Sequence, residues 1–346
     1  MDSTLLTSIL RYLRFHPSSS RREIAEGIAT TASEATLKRT LAEAIEKDQI
    51  AVDGKARATT YALTPQALVM MDYDLDTYFA SEVDEREMLT GFNFDLIRHI
   101  LPRVTLFSPS EQDTLNALQA QFRRNVAQLS PVEYDKEMER LGIDLSWKSS
   151  QIEGNTYSLL ETERLLKERQ EAAGKSREEA IMLLNHKDAL RFVLQEPDYL
   201  VPLTVSHIED IHSLLTKDLG VARNVRTRRV GITGTNYRPL DNAFQIREAL
   251  QDSCDLINSK SNTFEKALLA LALISYIQPF EDGNKRTARI TSNALLIADG
   301  HCPMSFRSVD SIDYKKAMLL FYEQNNISAF KRIFIDQFRF AVEQYF

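Results

Sequence analysis

The chain has 346 residues, a formal net charge of −7, only 11 glycines and 10 prolines, and two cysteines. That length suggests two or three domains with a sizeable core, and the scarcity of Gly and Pro favours an α-rich protein. The acidic balance argues against a generally basic nucleic-acid binder. Met1-Asp2-Ser3-Thr4 lacks a basic stretch before an apolar one, so no secretory leader is expected. The longest apolar run, Ala267 to Ile277, is too short to span a bilayer and reads as a buried helix. Cys254 and Cys302 show neither metal-ligand spacing nor a disulfide framework, so two reduced thiols in a cytoplasmic protein with no membrane partner are expected. His186, His207, His212 and His301 have no Cys or acidic partner at metal-ligand spacing and read as structural or exposed.

In chain order, residues 1–68 form a first unit. Leu5, Leu6, Ile9, Leu10 and Leu13 recur at helical spacing over Ser3 to Phe15. Ser18-Ser19-Ser20 caps a second helix carrying Ile24 and Ile28, and Ser33 caps a third with Leu37, Leu41 and Ile45 on its inner face. Gln49 to Val52 and Ala58 to Leu63 flank Asp53-Gly54-Lys55, a strong hairpin signal. Three helices and a hairpin resemble a winged helix-turn-helix. That resemblance places Thr36, Lys38, Arg39 and Thr40 on the outer side of the third helix, and Lys55 and Arg57 on the wing. Residues 33–60 would then touch DNA. Residues 1–65 hold nine Lys/Arg against eight Asp/Glu, so a protein partner stays open beside DNA.

Residues 69–92, acidic and aromatic around Asp72 to Phe79, read as a linker or a strap. Helical patterns follow at Phe94–Ile100, Gln112–Ala127 and Tyr134–Ile143. They continue at Leu159–Gln170, Arg177–Gln195, Val205–Leu215, Phe244–Ile257, Phe264–Ile277, Lys285–Ala298, Ser311–Gln324 and Ser328–Tyr345. Within Ser149-Ser150-Gln151-Ile152-Glu153-Gly154-Asn155, Ser149 and Glu153 lie one helical turn apart and face the same way. Val230-Gly231-Ile232-Thr233-Gly234-Thr235-Asn236-Tyr237-Arg238-Pro239 is β-branched and turn-rich, and reads as a short hairpin.

The most informative stretch is Gln278-Pro279-Phe280-Glu281-Asp282-Gly283-Asn284-Lys285-Arg286-Thr287-Ala288-Arg289. A turn that opens a helix leaves unpaired N–H groups aimed at one point. Gly283 admits a phosphate, Asp282 can hold a hard cation, and Lys285, Arg286 and Arg289 add positive charge. The combination predicts a polyphosphate site.

These residues resemble the Fic family, whose members transfer AMP from ATP to protein hydroxyls and whose pattern is His-Pro-Phe-x-Asp/Glu-Gly-Asn-Gly/Lys-Arg-x-x-Arg. The chain matches at Pro279, Phe280, Asp282, Gly283, Asn284, Lys285, Arg286 and Arg289, and departs where Gln278 replaces the histidine. In the family that histidine is the base that takes the proton from the target hydroxyl. An imidazole titrates near neutral pH, whereas a glutamine amide cannot carry a proton away. Ser149, Glu153 and Gly154 resemble the family's inhibitory Ser/Thr-x-x-x-Glu-Gly/Asn motif on a helix near residues 145–155, which implies a Glu153–Arg289 pair. Val230, Gly231, Ile232, Thr233 and Gly234 fall where the family's flap holds a target segment.

The resemblance spans roughly residues 90 to 346 and implies an all-α Fic bundle over 93–346 with a β-hairpin flap. It implies ATP and Mg²⁺, with Asp282 on the metal, Gly283, Asn284, Lys285, Arg286 and Arg289 on the nucleotide, and a protein Ser, Thr or Tyr hydroxyl as target. Whether the chain is a working adenylyltransferase stays open at Gln278. AMP transfer that is autoinhibited by Glu153 and slowed by Gln278 is one expectation. A non-catalytic nucleotide-sensing regulator acting through the first unit is the other. A homodimer is the expected state.

Overall fold

The computed structural model describes residues 3–346; Met1 and Asp2, and the side chains of Ser3 and Arg57, lie outside that description. It divides into two compact units, Met1–Tyr73 with His99–Thr105, and Asp74–Arg98 with Leu106–Phe346. The segment expected as one linker is therefore split, most of it joining the second unit.

The first unit holds α1 (Ser3–Phe15), α2 (Arg21–Gly27), α3 (Glu34–Glu46), the strands β1 (Ile50–Asp53) and β2 (Thr60–Leu63), and α4 (Pro65–Met70). Ser20 and Glu23 form a reciprocal capping box on α2, and Ser33 accepts from the Thr36 N–H at the start of α3. The strands pair antiparallel with Ile50 opposite Leu63. Their connection is longer than a two-residue turn, since a short 3₁₀ segment, Ala56–Ala58, follows Gly54. Ile9, Leu13, Ile24, Leu37, Leu41 and Ile50 form the core. Two assignments on α3 are corrected. Thr40 is buried, its hydroxyl donating to the Thr36 carbonyl, while Ile45 is 38% exposed and Ala44 takes the inner position. Arg57, expected on the wing, has its side chain outside the described residues.

The second unit is helical: α5 (Leu75–Phe79), α6 (Pro109–Val126), α7 (Pro131–Ile152), α8 (Leu159–Glu168), α9 (Arg177–Gln195), α10 (Val205–Leu215), α11 (Ala243–Ser259), α12 (Thr263–Ile277), α13 (Asn284–Ala298), α14 (Ser311–Gln324) and α15 (Ser328–Tyr345). Leu96–Ile100, expected as an α-helix, is a π-turn. α12 is apolar all round and buried over Ala267–Ile277, as a helix at the centre of a core must be. It packs against α11, α13, α14 and α15. Among the described residues no helix is long and apolar enough to cross a membrane.

The hairpin expected at Val230–Pro239 is not formed. Among the described residues the only sheet is β1–β2, and the segment contributes a single bridge, Arg238 to Gly91. Its polar groups are taken by residues 74–98 instead. Arg86 donates to the Gly234 carbonyl, Asn236 to Asp84, and the Arg238 N–H to the Thr90 carbonyl. Tyr237 is buried, stacked on Tyr276, and donates to the Tyr276 carbonyl at 3.0 Å. These anchors pull the chain away from the partner it would need to fold back on itself.

The same segment 74–98 is tied to α14. Tyr78 and Arg86 both hold the buried Glu323 carboxylate, at 2.7 and 3.0 Å.

Candidate active site

α12 ends because Pro279 cannot continue it, and Gln278 closes the helix in the left-handed region at φ 51°. The Gln278 side chain is buried and committed at both ends. Its Nε2 donates to the Ser275 carbonyl at 2.7 Å, and its Oε1 accepts from Asn284 Nδ2 at 3.0 Å. Asn284 then braces the loop, donating to the Phe280 carbonyl at 2.9 Å and accepting from the Phe280 N–H at 2.8 Å. Both polar atoms of the Asn284 amide thus have partners within the motif.

Phe280 is fully buried and stacks on His212, with ring centroids 3.7 Å apart. His212 Nε2 lies 3.0 Å from the Asp282 carbonyl, and burial holds its pKa down to about 4, so the ring is neutral and donates there. Gly283 begins α13 with φ 79° and offers no side-chain cap. A Cβ at Gly283 would come within 3.1 Å of Thr216 Cγ2, so the glycine is required by its own backbone and by the approach of α10. The first turn of α13 is left without the side-chain oxygen that caps α11 or α14.

The charged residues divide along α13. Asp282 stays 63% exposed and accepts from Arg286 at 2.8 Å. Arg286 is buried, and its Nε has no partner. Arg289 is fully buried at the far side of the same turn. It donates to Glu153 at 2.8 Å, to Ser149 Oγ at 2.8 Å and to the Ser149 carbonyl at 2.9 Å, and its guanidinium lies 5.4 Å from the Tyr314 ring centre. Arg289 Nη1 remains unpartnered. Lys285 reaches the other Glu153 oxygen at 3.3 Å. Burial pushes the Glu153 carboxyl up, but Arg289 and Lys285 outweigh it and hold the group below the usual carboxylate range.

Glu153 is the C-cap of α7, and Gly154 follows at φ 99°. α7 is longer than the periodicity suggests, because buried polar residues interrupt its pattern. Among them Asp144 is paired with Arg307 and Tyr345. A cavity of about 370 Å³ opens over this cluster, lined by Glu153, Ile232, Gln278, Lys285, Met318 and Tyr322 among others. It brings the motif, the end of α7 at Glu153 and Gly154, and Gly231, Ile232 and Thr233 together. Val230 and Gly234 lie outside its lining. Among the described residues no group of three or more His, Cys, Asp or Glu forms a ready metal centre.

Sequence reasoning took His186 and His212 only as structural or exposed, and did not reach Tyr314 or Arg226. Arg226 crosses the motif from outside, its N–H donating to the Pro279 carbonyl at 2.9 Å and its guanidinium to the Gln278 carbonyl at 2.7 Å. None of these sits in a local pattern. Each is brought in by tertiary packing.

Residues 202–296 match the family model described as Fic/DOC family. Protein adenylyltransferase fic-1 of Caenorhabditis elegans is 30% identical over 165 residues, covering 44% of this chain and 31% of that protein. Protein adenylyltransferase Fic of Nematostella vectensis is 31% identical over 180 residues, covering 49% and 40%. The matches thus span well under half the length of those relatives. Among solved structures, Fic-1 (aa134 - 508) from C. elegans superposes with a TM-score of 0.60 at 18% identity, covering 99% of this chain and 98% of that one. A Fic family protein from Desulfovibrio desulfuricans G20 does so with 0.57 at 18% identity, over 69% and 74%. At these identities the likeness is one of fold. Together with the loop and arginines of α13, these matches show that the chain carries a Fic/DOC family domain.

Proposed function

We propose that the protein binds Mg²⁺-ATP at the start of α13, is held inhibited by Glu153, and transfers AMP to a protein hydroxyl only slowly because Gln278 stands at the base position. The observation that carries this is the pair of buried guanidinium nitrogens without partners, Arg286 Nε and Arg289 Nη1, behind an uncapped helix start. Buried donors are nearly always satisfied, and a phosphate at a helix N-terminus satisfies them. Asp282 suits Mg²⁺ only alongside phosphate oxygens, since Mg²⁺ is commonly held by one or two carboxylates together with the substrate's phosphates. The bound metal would offset charge on those phosphates.

In AMP transfer the target oxygen bonds to the α-phosphorus, pyrophosphate leaves, and the hydroxyl proton must be accepted. Gln278 has no site for that proton, because its Oε1 accepts from Asn284 and its amide does not titrate. Losing a general base costs about 10²–10⁴-fold, so slow transfer survives. The adenylyltransferase names of the relatives support the reaction class. The segment 230–234, free of strand partners at the cavity edge, is the place where a target chain could add by backbone pairing.

Titration calorimetry with Mg²⁺-ATP tests the reading. Glu153→Gly should bind more tightly than wild type, as Arg289 is released. If neither protein binds ATP, ADP or AMP at millimolar concentration, there is no phosphate site.

A further inference from the structure

The contacts that hold Arg289 extend one residue beyond Glu153. His186, in the middle of α9, is fully buried, and its Nε2 lies 2.7 Å from Ser149 Oγ. The same oxygen accepts from Arg289 Nε at 2.8 Å, while Arg289 Nη2 bridges the Ser149 carbonyl and Glu153. A serine hydroxyl has one hydrogen and two lone pairs. Arg289 takes one lone pair of that oxygen, and His186 Nε2 takes either the second lone pair, as an N–H donor, or the hydroxyl hydrogen, as an acceptor. Burial, then the positive charge of Arg289 and Arg286, holds the imidazole well below its ordinary pKa, so the ring is neutral and carries one hydrogen. Donation from Nε2 leaves Nδ1 as a lone pair without a partner and strands no buried N–H.

We infer that His186 is a positioning residue: it fixes the Ser149 hydroxyl toward Arg289 and so keeps Arg289 turned to Glu153 and away from the terminal phosphate of a nucleoside triphosphate. The inference rests on the reading above, in which Glu153 and ATP compete for Arg289. It adds α9 to the elements that set the inhibited state. Ser149 and Glu153 alone would leave the hydroxyl free to turn about its Cα–Cβ bond, and Arg289 would lose one of its anchors on α7.

The test is calorimetry on the full chain with Mg²⁺-ATP and Mg²⁺-ADP, because ADP lacks the phosphate for which Arg289 is withheld. A residue that is merely structural would shift both affinities alike. His186→Phe should raise the ATP-to-ADP affinity ratio about fivefold, the order of one net hydrogen bond. His186→Gln, whose amide can donate to or accept from Ser149, should stay close to wild type. In a Glu153→Gly background the same His186→Phe change should leave the ratio where Glu153→Gly sets it. The role of His186 is overturned if Glu153→Gly raises the ratio and His186→Phe does not, or if His186→Phe moves ATP and ADP equally. Should His186→Phe not fold, Ser149→Ala removes the same anchor, and an unchanged ratio there overturns the role too. If Glu153→Gly itself leaves the ratio unchanged, the competition for Arg289 is wrong, and the His186 role falls with it.

Discussion

The two ends of the motif are built differently. At the Gln278 end every polar side-chain atom of Gln278 and Asn284 is spent on the loop itself. At the Arg289 end the charge is held from another helix by Glu153 and Ser149, with one nitrogen to spare. The first arrangement is part of the fold, while the second, on the function proposed above, is exchanged for a ligand. On that proposal the chain has lost the group that moves a proton and kept the groups that hold phosphate. A glutamine at 278 is accommodated because it completes the hydrogen bonds of a left-handed helix end.

That contrast can be broken by measurement. Arg289→Ala should have the largest effect on stability, about 3–5 kcal/mol, because it leaves Glu153 without its main counter-charge beside the core; chemical denaturation reads it. Asn284→Ala should cost about 3 kcal/mol, since it strands the Phe280 N–H, the Phe280 carbonyl and Gln278 Oε1 in a buried loop. A cost near zero would mean the loop is not braced as described.

Glu153→Gln should cost about 2 kcal/mol at neutral pH, the scale of a hydrogen bond to a charged group. Its pH dependence sharpens the comparison. The Glu153 carboxyl is held below its ordinary value of 4.5, so its contribution is present above that pH and is lost as pH falls through the lower folded value. The stability gap between wild type and Glu153→Gln should therefore be flat from pH 7 to 5 and close in stronger acid. A gap that closes near pH 6 would contradict the pairing. Lys285→Ala should be smallest, about 0.5 kcal/mol or less, because its 3.3 Å contact is partly solvated.

Much of this was legible from residue order. Ser20 and Ser33 announce helix starts that the structure caps as expected. The one-turn spacing of Ser149 and Glu153 anticipates that both face the same way, and the family resemblance supplied Arg289 as the partner of Glu153. What escaped depends on distant partners. His186 joins Ser149 from 37 residues away, and no local pattern marks it. The hairpin at 230–239 was misread because its β-branched residues form no strand ladder, while Tyr237 and Asn236 are captured by other parts of the chain. Thr40 was misplaced because its hydroxyl is satisfied within its own helix, which makes burial cheap.

On the function proposed above, nucleotide binding and proton removal are separable in this chain. Glu153→Gly is compared with Glu153→Gly carrying Gln278→His, with Mg²⁺-ATP affinity and labelled AMP incorporation measured in the same preparations. The affinities should agree within about twofold, because residue 278 would not hold phosphate, and incorporation should be at least about 10²-fold faster with the histidine. Equal incorporation in the two proteins, or a rate that rises only as far as the affinity does, would contradict that separation.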